Sequence, residues 1–222
     1  MTSRRPNGPR GGRGRRPTVD RRGFLRSIGF VGLGVAAGAG GAAAASALAG
    51  PVSGSAAAPA ADSIDVGFCR EMSLHHEQAL AMCQRVLGSD TGGSVQAAAA
   101  EILQNQSFER GLMLAWLETW GQSTAPPETV MAWMGMAVPA SEMPGLASDS
   151  EMTELAVLAG PAKGRRFLEL MRAHHVGGVH MAGAALGAET AQVRRAATQM
   201  ASTQAYEIEQ FDVLLATTYA AT

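Results

Sequence analysis

Two segments of this 222-residue chain hold residues whose types could bind a metal, and they repeat one another. Met72–Met82 reads MSLHHEQALAM, and Met171–Met181 reads MRAHHVGGVHM. Phe68, Met72, His75, His76 and Met82 recur as Phe167, Met171, His174, His175 and Met181, each displaced by 99 positions. Imidazole beside thioether is a soft-to-borderline donor set that suits copper, above all Cu(I). Other metals fit less well. Di-iron bundle sites need a Glu followed three residues later by His on two helices, whereas Glu71 lies four before His75 and Glu169 five before His174. Structural zinc favours clustered thiolates, and only Cys69 and Cys83 are available. Haem with His or Met axial ligands stays open, but no covalent attachment motif is present.

The candidate ligands are therefore His75, His76, His174 and His175, with Met72, Met82, Met171 and Met181. Additional candidates are His180, Cys69, Cys83, and the loop methionines Met131, Met134, Met136 and Met143. The competing reading is packing. Buried histidines usually find a hydrogen-bond partner, methionine commonly fills gaps in cores, and the loop methionines could pack with Trp133 on the end of the domain. Four core imidazoles nevertheless cost desolvation that leucine would avoid, and a bound metal would recover it. The two cysteines lie about 21 Å apart along one helix, too far for the roughly 7 Å a disulfide spans. They share a helix stripe with Met72 and His76, so a thiol could join a soft site; a buried inert thiol is the alternative.

These residues need helices to hold them. The sequence after residue 60 is rich in Ala, Leu, Met, Gln and Glu, an all-α composition. Helices are expected over about 63–87, 94–120, 162–186 and 189–219, with Gly88, Gly121 and Gly187 as stop signals. A proline-containing connection joins the second to the third. Within it, Pro127–Met136 could form a short helix, and Ser148 to Glu151 resembles a capping box opening another to Ala159. Phe68, Met72, His75, Ala79, Met82 and Val86 follow an inward seam, as do Phe167, Met171, His174, Gly178, Met181 and Ala185. Ala79 and Gly178 would leave space beside the imidazoles. Gln106, Glu109, Met113, Trp116 and Leu117 match Gln204, Glu207, Phe211, Leu214 and Leu215 at a spacing of 98. The expectation is two repeated helical hairpins, about 63–121 and 162–219, forming a ferritin-like four-helix bundle with one long crossover.

The doubled pattern resembles the domain-of-unknown-function family 305 (DUF305). The residues that carry the resemblance are Asp65, Phe68, Met72, His75, His76 and Met82, then Met143-Pro144-Gly145 before Phe167, Met171, His174, His175 and Met181. Gln106-x-x-Glu109 and Gln204-x-x-Glu207 add to it. The resemblance covers about residues 63–217 and implies a ferritin-like fold. Some family members resemble periplasmic copper-resistance proteins that bind copper or silver through His and Met, which implies metal handling here. Two positions depart from the family pattern: Gly164 stands where Asp is usual, and Val176 where Glu often follows the histidine pair.

Residues 1–60 read as a separate signal and linker. Nine arginines precede Ser27, ending in Arg21-Arg22-Gly23-Phe24-Leu25-Arg26, and Ser27–Ala49 carries no charge. This resembles a twin-arginine export signal, with cleavage expected after Ala49 or Ala60. The alternative is an uncleaved membrane anchor. Removal leaves residues 61–222 with 9 basic against 18 acidic residues, a net charge of −9. That sign disfavours nucleic acid as a partner and concentrates cations. No nucleophile–base pair, phosphate loop or triad is present, so a binding protein rather than an enzyme is expected. The rivals are a ferritin-type di-iron oxidase or storage protein and an exported helical interaction module; a homodimer stays open. If the arginine pair is the export address, Arg21→Lys with Arg22→Lys leaves the precursor in the cytoplasm, measured by fractionation. N-terminal sequencing of exported wild type then gives residue 50 or 61, and an intact start would indicate an anchor.

Overall fold

The computed structural model describes residues 57–220. The arginine-rich start and the uncharged stretch after it lie outside the described residues. Five α-helices dominate: α1 (Ile64–Val86), α2 (Gly93–Thr119), the short α3 (Asp149–Val157), α4 (Gly160–Ala184) and α5 (Ala191–Ala216). The four long helices fall within about three residues of the expected boundaries. Among the described residues, no helix is long and apolar enough to cross a membrane.

Local chemistry sets the ends. Ser63 caps α1 by accepting from the Val66 amide at 3.3 Å, and Thr190 caps α5 by accepting from Val193 at 3.4 Å. Ser148 and Glu151 form both bonds of the expected capping box at the start of α3. Asp65 is fully buried in the first turn of α1. It accepts from the Glu189 amide at 2.7 Å, the Thr190 amide at 2.9 Å and the Thr190 hydroxyl at 2.6 Å. A carboxylate at a helix N-terminus is favourably placed, so Asp65 ties α1 to the start of α5. At Gly164, which occupies the corresponding place in α4, the Tyr219 ring fills the space a side chain would need.

Packing places α1 against α4 at the centre, with α2 on α1 and α5 on α4. The apolar core falls into two clusters. One joins Phe68, Met72, Met113, Leu117, Met181, Val193 and Met200; the other joins Met82, Val86, Val95, Ile102, Phe167, Met171 and Phe211. Reading each helix through the clusters in chain order, α1 and α5 run one way and α2 and α4 the other. Each long helix carries a pair of polar residues between the two clusters: His75 and His76, Gln106 and Glu109, His174 and His175, Gln204 and Glu207. A polar layer thus crosses the middle of an apolar domain.

The crossover differs from expectation between Pro127 and Met136. Instead of a short helix, a two-residue antiparallel ladder pairs Thr129–Val130 (β1) with Val138–Pro139 (β2), enclosing a 3₁₀ turn at Ala132–Met134. The reason is long-range. The Glu71 carboxylate, buried on α1, accepts from the Met131 amide at 2.8 Å and Trp133 Nε1 at 2.7 Å, and Met131 is held at φ 65°. That left-handed conformation breaks a helix and costs a non-glycine residue about 1 kcal/mol or more. Further along, Gln78 clamps Ala147 through both amide atoms, each bond 2.7 Å. Glu71 and Gln78 therefore pin the crossover on either side of His75.

The glycine pair of MRAHHVGGVHM follows from this crossover. A Cβ on Gly177 would lie 2.3 Å from the Pro144 carbonyl oxygen, and one on Gly178 would lie 2.1 Å from Gln204 Oε1. The space beside Gly178 is thus filled by Gln204 rather than left open near the imidazole. Gly177→Ala should destabilise the domain by about 1–3 kcal/mol through overpacking against backbone, outweighing its better helix propensity. Gly111→Ala, where a Cβ would meet nothing within 4 Å, should stabilise it by about 0.5–1 kcal/mol. Chemical denaturation of both variants checks the opposite signs.

Candidate metal centre

The seams of α1 and α4 bring their histidines together where the helices cross. His75, His76, His174 and His175 are all fully buried. The His75 and His174 rings stack with centroids 3.6 Å apart and planes at 30°. His174 Nε2 donates to the His75 carbonyl at 2.9 Å. The Pro144 backbone approaches the His75 ring without reaching hydrogen-bond geometry, and neither His75 nitrogen has a partner among the described residues.

The second histidine of each pair turns to the neighbouring helix. His76 Nε2 donates to Glu109 on α2 at 2.9 Å, and His175 Nε2 donates to Glu207 on α5 at 2.6 Å. A carbonyl or an ionised carboxylate can only accept, so Nε2 carries the proton in His76, His174 and His175. The nitrogen that remains for a metal is Nδ1, and all three Nδ1 atoms are buried without a partner. A carboxylate or carbonyl behind one ring nitrogen is the usual support of a metal-binding imidazole. The side-chain amides of Gln106 and Gln204 are buried in the same layer with no partner on nitrogen or oxygen. Unpaired buried polar groups cost about 1–3 kcal/mol each, so this layer is expensive as it stands. Their 98-residue spacing marks these glutamines in the sequence but assigns them no role.

The methionines divide between the two apolar clusters. Met72 and Met181 lie in the first, Met82 and Met171 in the second, all fully or almost fully buried. Met131 and Met143 join the first cluster, and Met134 packs at its edge. Met136 is 41% exposed. His180 is exposed and stands apart from the histidine layer. Six residues at about 100° each carry it roughly 240° around the helix from His174. Cys69 lies in the first cluster and Cys83 in the second, both as free thiols. Burial pushes the Cys69 thiol up, with Asp65 adding to the shift, and burial with Glu207 nearby pushes Cys83 up to about 12. Neither supplies a ready thiolate. Among the described residues, no three His, Cys, Asp or Glu side chains converge into a preformed metal cluster. Any site built here therefore draws on thioethers or on rearrangement of the layer.

Fold and layer together define a class: an all-α domain with a histidine-bearing midplane between methionine-containing clusters. Residues 65–215 match the family model "Domain of unknown function (DUF305)", and the chain belongs to that family. No curated protein sequence matches it. Among solved structures, it is similar to a predicted secreted DUF305 protein from Streptomyces coelicolor at 40% identity. That match covers 71% of this chain and 94% of the other, with a TM-score of 0.66. A DUF305 fragment from Deinococcus radiodurans is 31% identical over 69% of this chain and 95% of its own, with a TM-score of 0.60. CopM in its Cu(I)-bound form shares the fold at 24% identity and a TM-score of 0.52, over 70% of this chain and 97% of CopM.

Burial holds the His75 and His174 pKa values well below the ordinary imidazole range; repulsion from His174 adds to the shift at His75, and from His175 at His174. The hydrogen bond to the His75 carbonyl opposes this at His174. Both rings are therefore neutral in the folded protein near neutral pH, while the unfolded chain takes up protons below about 6.5. More protons on the unfolded state means stability that rises with pH. Their contribution is complete above about pH 6.5 and is lost on acidification, by up to about 1.4 kcal/mol per histidine per pH unit. Metal-free protein melted at pH 7.5, 6.5 and 5.5 should show this fall, and His75→Leu with His174→Leu should flatten it.

Proposed function

We propose that the chain is an exported protein that binds or buffers copper as Cu(I), and silver by the same chemistry, through imidazole and thioether donors on α1 and α4. The observation that carries this reading is the set of buried, unpartnered Nδ1 atoms on His76, His174 and His175, whose Nε2 atoms are already committed to supporting acceptors. His75, with neither nitrogen paired, adds a fourth donor. Met72 and Met181 flank the layer on one side, and Met82 and Met171 on the other, so either side offers two thioethers. Such a set prefers the soft monovalent ion. The likeness in fold to a protein crystallised with Cu(I) is consistent with it.

Residues 1–60 serve as a twin-arginine signal and linker, and residues 61–222 as the exported domain. The two helix pairs, with corresponding His–Glu bonds, are read as duplicated hairpins in a ferritin-like arrangement. Glu109 and Glu207 each face an imidazole, which disfavours a carboxylate-bridged di-iron role. The domain is read as a binder rather than an enzyme.

Competition titration should show Cu(I) retained in preference to Zn(II), since thioethers add affinity only for the soft ion. His75→Leu and His174→Leu should each weaken Cu(I) binding. Metal-free His75→Leu should be no less stable than wild type, because the ring it replaces makes no hydrogen bond, while the gain in stability on adding Cu(I) shrinks by linkage. Core histidines with no metal role would leave the melting of wild type and of every variant indifferent to Cu(I). Equal retention of both metals, or of neither, would count against copper.

A further inference from the structure

The buried donors lie beneath the crossover, and its most exposed methionine belongs to a single tight turn. The Met131 carbonyl accepts from both the Met134 and the Met136 amides, each at 3.0 Å. Its own amide is held by Glu71 at 2.8 Å. One peptide oxygen thus gathers three thioether-bearing residues. Met131 is the one non-glycine residue with positive φ among those described, so the turn keeps an unfavourable backbone geometry to do so. Trp133 fixes it from below. Its Nε1 donates to Glu71 at 2.7 Å, and its ring meets Phe68 edge-on at 6.2 Å. A Cβ on Gly67 of α1 would strike the same ring at 2.4 Å.

Burial is graded along this turn. Met136 is 41% exposed, Met134 is half-buried, and Met131 is fully buried in the cluster that holds Met143, Met72 and Met181. Resting on the copper reading above, we propose that the Met131–Met136 turn is a surface capture site for a soft monovalent cation, Cu(I) or Ag(I), that passes the ion inward to the donors of α1 and α4. The acidic surface attracts cations of every kind. Uncharged thioethers select the soft ones and need lose no proton to bind them. Passage inward is ligand exchange: a bond to one thioether breaks as a bond to the next forms, and the ion stays monovalent throughout.

The test uses the domain carrying ¹³C-methyl methionine, with Ag(I) as a redox-inert probe. Substoichiometric Ag(I) should shift the Met134 and Met136 methyl signals, and His75→Leu with His174→Leu should leave those shifts in place. Stopped-flow transfer of Cu(I) from a chelator should be several-fold slower in Met134→Leu with Met136→Leu, a volume-conserving change expected to preserve the fold. Unmoved Met134 and Met136 signals, or a transfer rate equal to wild type while wild type retains Cu(I), would overturn the capture site and leave the interior site standing. Failure of wild type to retain Cu(I) at all would overturn both.

Discussion

The crossing of α1 and α4 requires two imidazoles to stack where a helical core would ordinarily place leucine. His174 bonds the His75 carbonyl, and the two rings lie face to face at 3.6 Å. This fixes the register of the central helices, because a shift of one turn would set the polar layer against methionine and phenylalanine. The outer helices inherit that register. Glu109 must reach His76 from α2, and Glu207 must reach His175 from α5, so all four helices are aligned by one set of polar contacts. Specificity of this kind is obtained at the expense of stability, since several atoms of the layer remain unpaired.

The crossover makes the two halves unequal. Asp65, Glu71 and Gln78 all lie on α1, and each holds a segment outside its own hairpin. The corresponding positions on α4 are Gly164, Leu170 and Gly177, none of which can do so. The Met131–Ala147 part of the crossover is therefore fastened to the first half, while the second half receives Pro144 on Gly177 and pairs Arg166 with Glu151 and Glu154 of α3. The same asymmetry enriches one apolar cluster in methionine, since Met131 and Met143 join it while the other gains neither.

Much of this was legible in the sequence for a physical reason. Helices of more than twenty residues write their buried faces at a 3.6-residue period, and the histidines fell on that period. The Ser148–Glu151 capping box is a local signal and was read directly. The Pro127–Met136 segment departs from its local signal because Glu71, some sixty residues away, decides its backbone. Helix geometry alone places His180 on a different side of α4 from His174. The partners of His76 and His175 were present in the repeated Gln-x-x-Glu pattern, but pairing a glutamate with a histidine requires knowing which helices touch. Gly177 and Gly178 carry no local signal of their role; only the approach of Pro144 and Gln204 explains them.

The long crossover also has a consequence for the order in which the chain assembles. The α1–α2 and α4–α5 pairs close over short connections, so their contacts form at little loop-closure entropy. The His75–His174 contact joins residues 99 apart in sequence and must wait for both pairs and the crossover. Contacts at such separation form late and govern the folding rate. The histidine layer is thus a seam between two locally folded halves, completed only when the whole domain has come together.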